Sequence, residues 1–201
     1  MVSMAQPDSD GPLPPDDFTD RPLPLDEIPA GTAFVRIHPS GFDPIHFGTS
    51  GNNRFDDPKR EYGVCYLAMT HEGAFAETCL RAVGAPYVAL AFLEARSFAI
   101  IETTAPLRLV TVHGAGLSKH GATSVVTAGQ HAIAQRWSRA IHDHPAAPDG
   151  ILYRANHDNG EFCAALFQRC RDRLRPSETN AIMSDRNRLA ALLNRYGVGL
   201  G

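Results

Sequence analysis

No apolar run in this chain approaches the roughly 18 residues that a membrane-spanning helix needs. Its opening, "MVSMAQPDSDGPLPPDDF", has neither the basic start nor the apolar centre of a secretory signal. A cytoplasmic, reducing setting is the expectation. No block of Lys and Arg interleaves with aromatics, and the formal net charge is -3, so nucleic acid meets no electrostatic footprint. Cysteine is scarce: Cys65, Cys79, Cys163 and Cys170 fall singly inside apolar stretches, with no C-x-x-C. They read as small core residues. The histidines include His142 and His144 in "IHDHP", but no H-E-x-x-H or Cys/His cluster accompanies them. No metal is expected, and that pair reads as the solvated end of a helix. A phosphate-binding glycine loop is missing too. "HGAGLSKHG" fits neither G-x-x-x-x-G-K-[ST] nor G-x-G-x-x-G, and reads as a flexible loop.

What is present is an ordinary globular composition. With 201 residues, 43% of them hydrophobic and 20% charged, the chain can bury one real core and is too short for two. Composition divides it at about residue 30. Residues 1–30 hold seven of the 15 prolines, together with Asp8, Asp10, Asp16, Asp17, Asp20 and Asp26. Proline removes backbone donors and the carboxylates repel, so a flexible, extended arm is expected there. A second reading is an arm packed across the domain, since "FTDRPLPLDEIP" carries Phe and Leu. Residues 31–201 form the domain.

Short aliphatic or β-branched runs bounded by Gly, Pro, Asp or Asn predict strands at 32–38, 63–69, 87–92, 98–102, 107–112, 150–153 and 163–167. Helices are predicted over Thr70–Val83, with Thr70 as N-cap and Glu72 in the first turn, over Thr127–His142, and over Asp185–Tyr196, which stops at Gly197. Strands punctuated by three helices indicate an α+β fold rather than regular βαβ winding.

One region combines chemistry with order. Arg54 lies in a polar loop, Tyr66 on the next strand and Glu77 on the helix that follows, at spacings of 12 and 11 residues. A guanidinium grips phosphate, a phenol stacks on or bonds to a flat heterocycle, and a carboxylate stabilises a positive sugar. Each has a plain alternative: Arg54 as a solvated loop charge, Tyr66 as a core ring, Glu77 as a helix partner of Arg81. Arg36, sharing a strand face with Phe34 and His38, is a fourth candidate.

The pieces "FVRIHP", "NNRFDDP", "GVCYLAMTHEGAFAETCLR", "DGILYRANHD…CAALF" and "LLNRYGVGL", taken in order, resemble the RES domain family, named for its Arg, Glu and Ser motifs. The resemblance spans about residues 32–200. It implies a compact ADP-ribosyltransferase-like domain of short strands with about three helices. It also implies NAD⁺ as substrate, with cleavage of the nicotinamide–ribose bond by hydrolysis or phosphorolysis. Many members are toxins of toxin–antitoxin pairs, which implies a helix-turn-helix antitoxin as partner; others modify a protein. By the same resemblance, Arg54 would bind the phosphates, helped by Arg36. Tyr66 would pack by the nicotinamide, and Glu77 would stabilise the ribose as nicotinamide leaves.

The chain departs from the family at one motif. Members read Y-x-S after the aliphatic strand, where this sequence has Tyr153, Arg154 and Ala155. A lost hydroxyl of this kind costs about 0.5–1.5 kcal/mol, or about 1.5–3 if its partner is charged. Asn156 is adjacent and offers a substitute hydrogen bond. On this reading, restoring a serine at 155 raises turnover. Two rivals remain at this stage: a mono-ADP-ribosyltransferase acting on protein, and a catalytically weakened RES-like binding module.

Overall fold

The alternation in "AFVRIHP" places successive side chains in two different apolar layers, and the fold is built on that division. A computed structural model describes residues 12–81 and 84–201. Its strands are β1 (Asp26–Ile28), β2 (Ala33–Pro39), β3 (Val64–Ala68), β4 (Tyr87–Val88), β5 (Arg96–Thr103), β6 (Leu107–Thr111), β7 (Gly150–Arg154), β8 (Phe162–Phe167), β9 (Leu174–Ala181) and β10 (Gly199–Leu200). Its helices are α1 (His71–Cys79), α2 (Leu90–Glu94), α3 (Ala115–His120), α4 (Val125–Ala128), α5 (His131–Asp143) and α6 (Arg186–Tyr196). This is the expected α+β fold, with α1, α5 and α6 as its long helices.

Eight strands form one sheet in the order β1-β6-β7-β8-β3-β2-β5-β9, and β4 pairs with β10 separately. Within the large sheet β6 and β7 run parallel, and the other neighbours are antiparallel. Both faces are buried. Val35, Ile37, Val64, Tyr153 and Phe167 meet Phe75 of α1, Trp137 of α5 and Leu189 of α6. Phe34, Cys65, Leu67, Ala164 and Leu166 meet Ile45 and Phe47 of the loop after β2 and Cys170 of a 3-10 turn. Burial on both sides is why "CAALF" reads as a continuous apolar run rather than an alternating one.

Local signals fix the helix ends. The Thr70 hydroxyl accepts the Gly73 N–H at 2.9 Å and starts α1. The Asp185 carboxylate accepts the Arg188 N–H at 2.9 Å and starts α6, which ends at Gly197 with φ +63°. The last two residues of the first expected helix, Ala82 and Val83, lie outside the described residues.

Four expectations are corrected, and one strand was not foreseen. His142 and His144 are not a solvated helix end: His144 is buried and His142 stacks on the Tyr62 ring. "YVALAF" is a strand only at Tyr87–Val88; Leu90 onward turns helical, driven by good helix formers and complete burial of Leu93. "HGAGLSKHG" is not a loop throughout, because Ala115–His120 form α3 and Gly121 ends it at φ +73°. The helix expected from Thr127 is broken into α4 and α5 by extended backbone at Gly129 and Gln130. Finally β9, "LRPSETNA", is too polar to be foreseen: it is a mostly exposed edge strand paired only to β5.

The described part of the proline-rich arm, residues 12–30, lies against the domain. Phe18 is buried there, and β1 extends the sheet beside β6.

Candidate functional site

The floor of the main cleft is one cross-strand row. Val35 on β2 pairs with Ala68 on β3, Ala68 with Cys163 on β8, and Cys163 with Tyr153 on β7. Side chains directly opposed on adjacent strands share a face, and all four residues line a cavity of about 560 Å³. One wall is α1, which contributes Ala74, Glu77 and Thr78. Facing it are the loop that carries Asn52, Asn53 and Arg54, and His131 at the start of α5. Asn156 and His157, after β7, complete the rim.

The Arg54 loop is shaped from within by a buried carboxylate. Asp56 is 1% exposed. Its Oδ2 accepts from Ser50 Oγ at 2.8 Å and from Asn52 N, Asn53 N and Asn53 Nδ2, each at 3.1 Å. Its Oδ1 accepts from the Tyr66 hydroxyl at 2.9 Å, and that hydroxyl in turn accepts the Phe55 N–H at 2.9 Å. The strand tyrosine is thus a strut under the loop, with its ring bordering the cleft. Burial first, then the neighbouring Asp56, pushes the Tyr66 phenol well above its ordinary range, so it stays a donor. Asp57, also buried, accepts from Lys59 N at 3.2 Å and Glu61 N at 2.6 Å, and pairs with Arg139 of α5 at 3.2 Å.

Arg54 reaches across to Gly129, whose carbonyl accepts from its Nη1 at 2.8 Å. That carbonyl is available because the chain leaves the helical path there. Burial lowers the Arg54 guanidinium from its usual value and Glu77 partly offsets this. Opposite it, Glu77 does not engage Arg81 through its side chain: Arg81 Nε donates to the Glu77 backbone carbonyl at 3.0 Å. Instead Glu77 Oε1 accepts the Asn156 N–H at 2.6 Å. A carboxylate offers about four acceptor directions, so this bond fixes the carboxylate without exhausting it. The loop after β7 is held in turn by α6, where Tyr196 Oη and Arg195 Nη2 bond Asp158 at 3.0 and 3.2 Å.

Of the residues singled out from sequence, Arg54, Tyr66, Glu77 and Asn156 meet at this cleft. Arg36 borders it on β2, but its guanidinium is committed elsewhere. Its Nη1 bonds Pro44 O at 2.7 Å, His46 O at 3.1 Å and Cys65 Sγ at 3.2 Å, beside the opposite core layer. Alternation on a strand dictates this, since Val35 and Ile37 take the cleft side. Ala155 is fully buried in the core layer beneath the rim, with its N–H donating to Glu161 O at 2.9 Å. For the cysteine in the floor, burial first, then Glu77, pushes the Cys163 thiol up.

Sequence reasoning missed Asn52, Asn53, His131 and Tyr153 as lining residues, and Asp56 as the loop's organiser. "NNR" ahead of a strand was a weak signal for the asparagines. Nothing local marks His131, which reaches the site only because α5 packs against the loop, with Nδ1 3.1 Å from Asn52 O.

Comparison with known proteins agrees with this architecture. The RES domain family matches residues 33–185. A Sinorhizobium fredii protein named "Probable toxin y4kH" is 30% identical over 112 residues, covering 55% of this chain and 87% of the relative. The crystal structure of the M. tuberculosis MbcT-MbcA toxin-antitoxin complex contains a chain that aligns with a TM-score of 0.61 at 16% identity. That alignment covers 77% of this chain and 85% of that one, a likeness of fold. With three of the expected motif residues gathered in one cleft and the family's span matched, the chain belongs to the RES domain family.

Proposed function

We propose that this protein binds NAD⁺ in the cleft and cleaves its nicotinamide–ribose bond, acting as the toxin of a toxin–antitoxin pair. The observation that carries the reading is the facing pair: Arg54 on an Asp56-braced loop and Glu77 on α1, across an apolar floor in about 560 Å³. That volume lies within the roughly 300–1,000 Å³ typical of small-molecule sites. The donor set suits a dinucleotide. Arg54, with Asn52 and Asn53 beside it, meets the phosphates; the Tyr66 and Tyr153 rings meet flat, apolar groups.

The chemistry asks little of the protein beyond placement. Nicotinamide leaves as a neutral ring from a cationic one, so no general acid is needed. The positive charge passes to the ribose, and a fixed carboxylate such as Glu77 stabilises it across the cleft. The Asn156 N–H keeps that carboxylate oriented before the reaction begins, which is the preorganisation such a step rewards. Water or phosphate then completes the substitution on the sugar.

The toxin role is supported by the name of the S. fredii relative and by the complex in which the structural neighbour occurs. It implies an antitoxin partner, of the helix-turn-helix type. Among the described residues no helix is long and apolar enough to cross a membrane, and the NAD⁺ pool places the action in the cytoplasm. The test is free nicotinamide from purified protein and NAD⁺, with and without phosphate. Release that rises with phosphate means phosphorolysis, and release without it means hydrolysis. Labelled ADP-ribose on protein would instead mean a transferase, and no release would overturn the proposal.

A further inference from the structure

The arm ahead of β2 lies outside the span matched by the family, residues 33–185. It nevertheless grips one side of α5, while the other side of α5 grips the Arg54 loop. On the arm side, the Trp137 Nε1 donates to Pro12 O at 2.8 Å. Phe18, 4% exposed, sets its ring edge-on to Trp137 with centroids 5.4 Å apart, and edge-on to His144 at 5.7 Å. His144 Nε2 lies 3.1 Å from Arg21 O. On the loop side, Gln135 Nε2 donates to Gly51 O at 2.9 Å and Asn53 O at 3.0 Å. Ser138 Oγ donates to Phe55 O at 2.7 Å.

Trp137 and Ser138 are neighbours in sequence and both fully buried. The arm's anchor and the loop's anchor are therefore consecutive residues of one helix turn. In a close-packed interior a helix cannot shift on one side and stay put on the other. Phe18 contacts the helix at Trp137 and just past its C-terminus at His144, so it restrains tilt as well as distance.

We propose that residues 12–28 are a strap that positions the Arg54 loop through α5, with Phe18 and Trp137 as its positioning residues. The inference rests on the reading of that loop as the phosphate-binding wall. Loosening the strap frees the carbonyls of Gly51, Asn53 and Phe55 from their fixed places, and substrate affinity falls before the chemistry does. A protein that bound the arm would thereby weaken the enzyme without touching its cleft.

The experiment is hydrogen–deuterium exchange on the full chain, comparing wild type with Phe18→Ala, Phe18→Leu and Trp137→Phe, well below each unfolding midpoint. Amides of residues 52–55 should exchange about tenfold faster in Phe18→Ala and about threefold faster in Trp137→Phe, with β3 and β8 unchanged. Phe18→Leu should restore most of the protection. In parallel, KM for NAD⁺ should rise about three- to tenfold with kcat little altered. Unchanged loop protection in a folded Phe18→Ala, or equal loss in β3 and β8, overturns the strap. Should Phe18→Ala fail to fold, Trp137→Phe decides alone: faster loop exchange upholds the strap and unchanged exchange overturns it. A wild type that releases no nicotinamide would refute the proposed function while leaving the exchange result to judge the strap.

Discussion

Replacing Asp56 separates the charge of the Arg54 loop from its shape. The carboxylate is 1% exposed and accepts five bonds, four of them on Oδ2. In Asp56→Ala all five donors lose the carboxylate, and only the Asn52 N–H and the Asn53 side chain keep a second acceptor, Ser50 Oγ. Ser50, Asn52 and the Asn53 side chain can turn to water, whereas the Tyr66 hydroxyl is buried under the loop. Bonds to a charged acceptor contribute about 1.5–3 kcal/mol each and do not add. A total near 3–5 kcal/mol follows, the usual cost of breaking a buried charged contact. For a chain of this size that is a fall in Tm of about 6–20 °C. Asp56→Asn differs. With the amide oxygen in the Oδ2 place, four donors keep their acceptor, and the amide NH₂ meets the Tyr66 oxygen, which can accept. Only the charge and one proton's partner are lost, about 1–2 kcal/mol. Urea denaturation of both variants, with nicotinamide release alongside, checks this. An Asp56→Ala protein within about 1 kcal/mol of wild type, or an Asn variant as damaged as the Ala one, would refute the loop-hub argument.

Three further outcomes follow from the same geometry. Tyr66→Phe removes the bonds to Asp56 and Phe55 N; stability should fall by about 2–3 kcal/mol, and the loss should shrink markedly in an Asp56→Ala background, measured as a double-mutant cycle. Ala155→Ser places a hydroxyl below the rim rather than on the cleft wall. Turnover should change less than about threefold and stability should fall by about 1 kcal/mol; a tenfold gain in kcat would instead put position 155 against the substrate. Burial, the largest cause in each case, holds His38, His71, His113, His120 and His142 below the ordinary histidine value. As pH falls through about 6.5 the unfolded chain takes up these protons first, so stability is full above that value and declines toward the lower folded values. The urea midpoint should drop between pH 7 and pH 5, and a flat profile would contradict the burial.

Most strands and the helices α1 and α6 were legible because period and caps agreed at Thr70, Asp185 and Gly197. β9 was not, since an exposed edge strand needs no apolar face. The break at Gly129 was hidden because a helix-compatible sequence runs across it; only the packed structure shows the carbonyl it frees for Arg54. In the site, Arg54, Tyr66 and Glu77 line one cleft, because a loop, a strand and a helix in succession have little freedom to diverge. Arg36 was grouped with them although its strand parity points its side chain the other way. His131 and Gln135 come from a distant helix and leave no trace near the motif. Nothing in the sequence singled out Asp56 and Asp57, and their burial appears only when the loop closes over Tyr66 and Arg139.

The most direct measurement is nicotinamide release from NAD⁺ by the wild-type protein and by Glu77→Gln. The glutamine oxygen can still accept the Asn156 N–H, so the variant should fold with wild-type stability. Wild type should release nicotinamide, and Glu77→Gln should be slower by about 10²–10³ in kcat, the scale of losing one transition-state electrostatic contact. A wild type with no release, or a Glu77→Gln protein with unchanged kcat, would contradict the proposed cleavage.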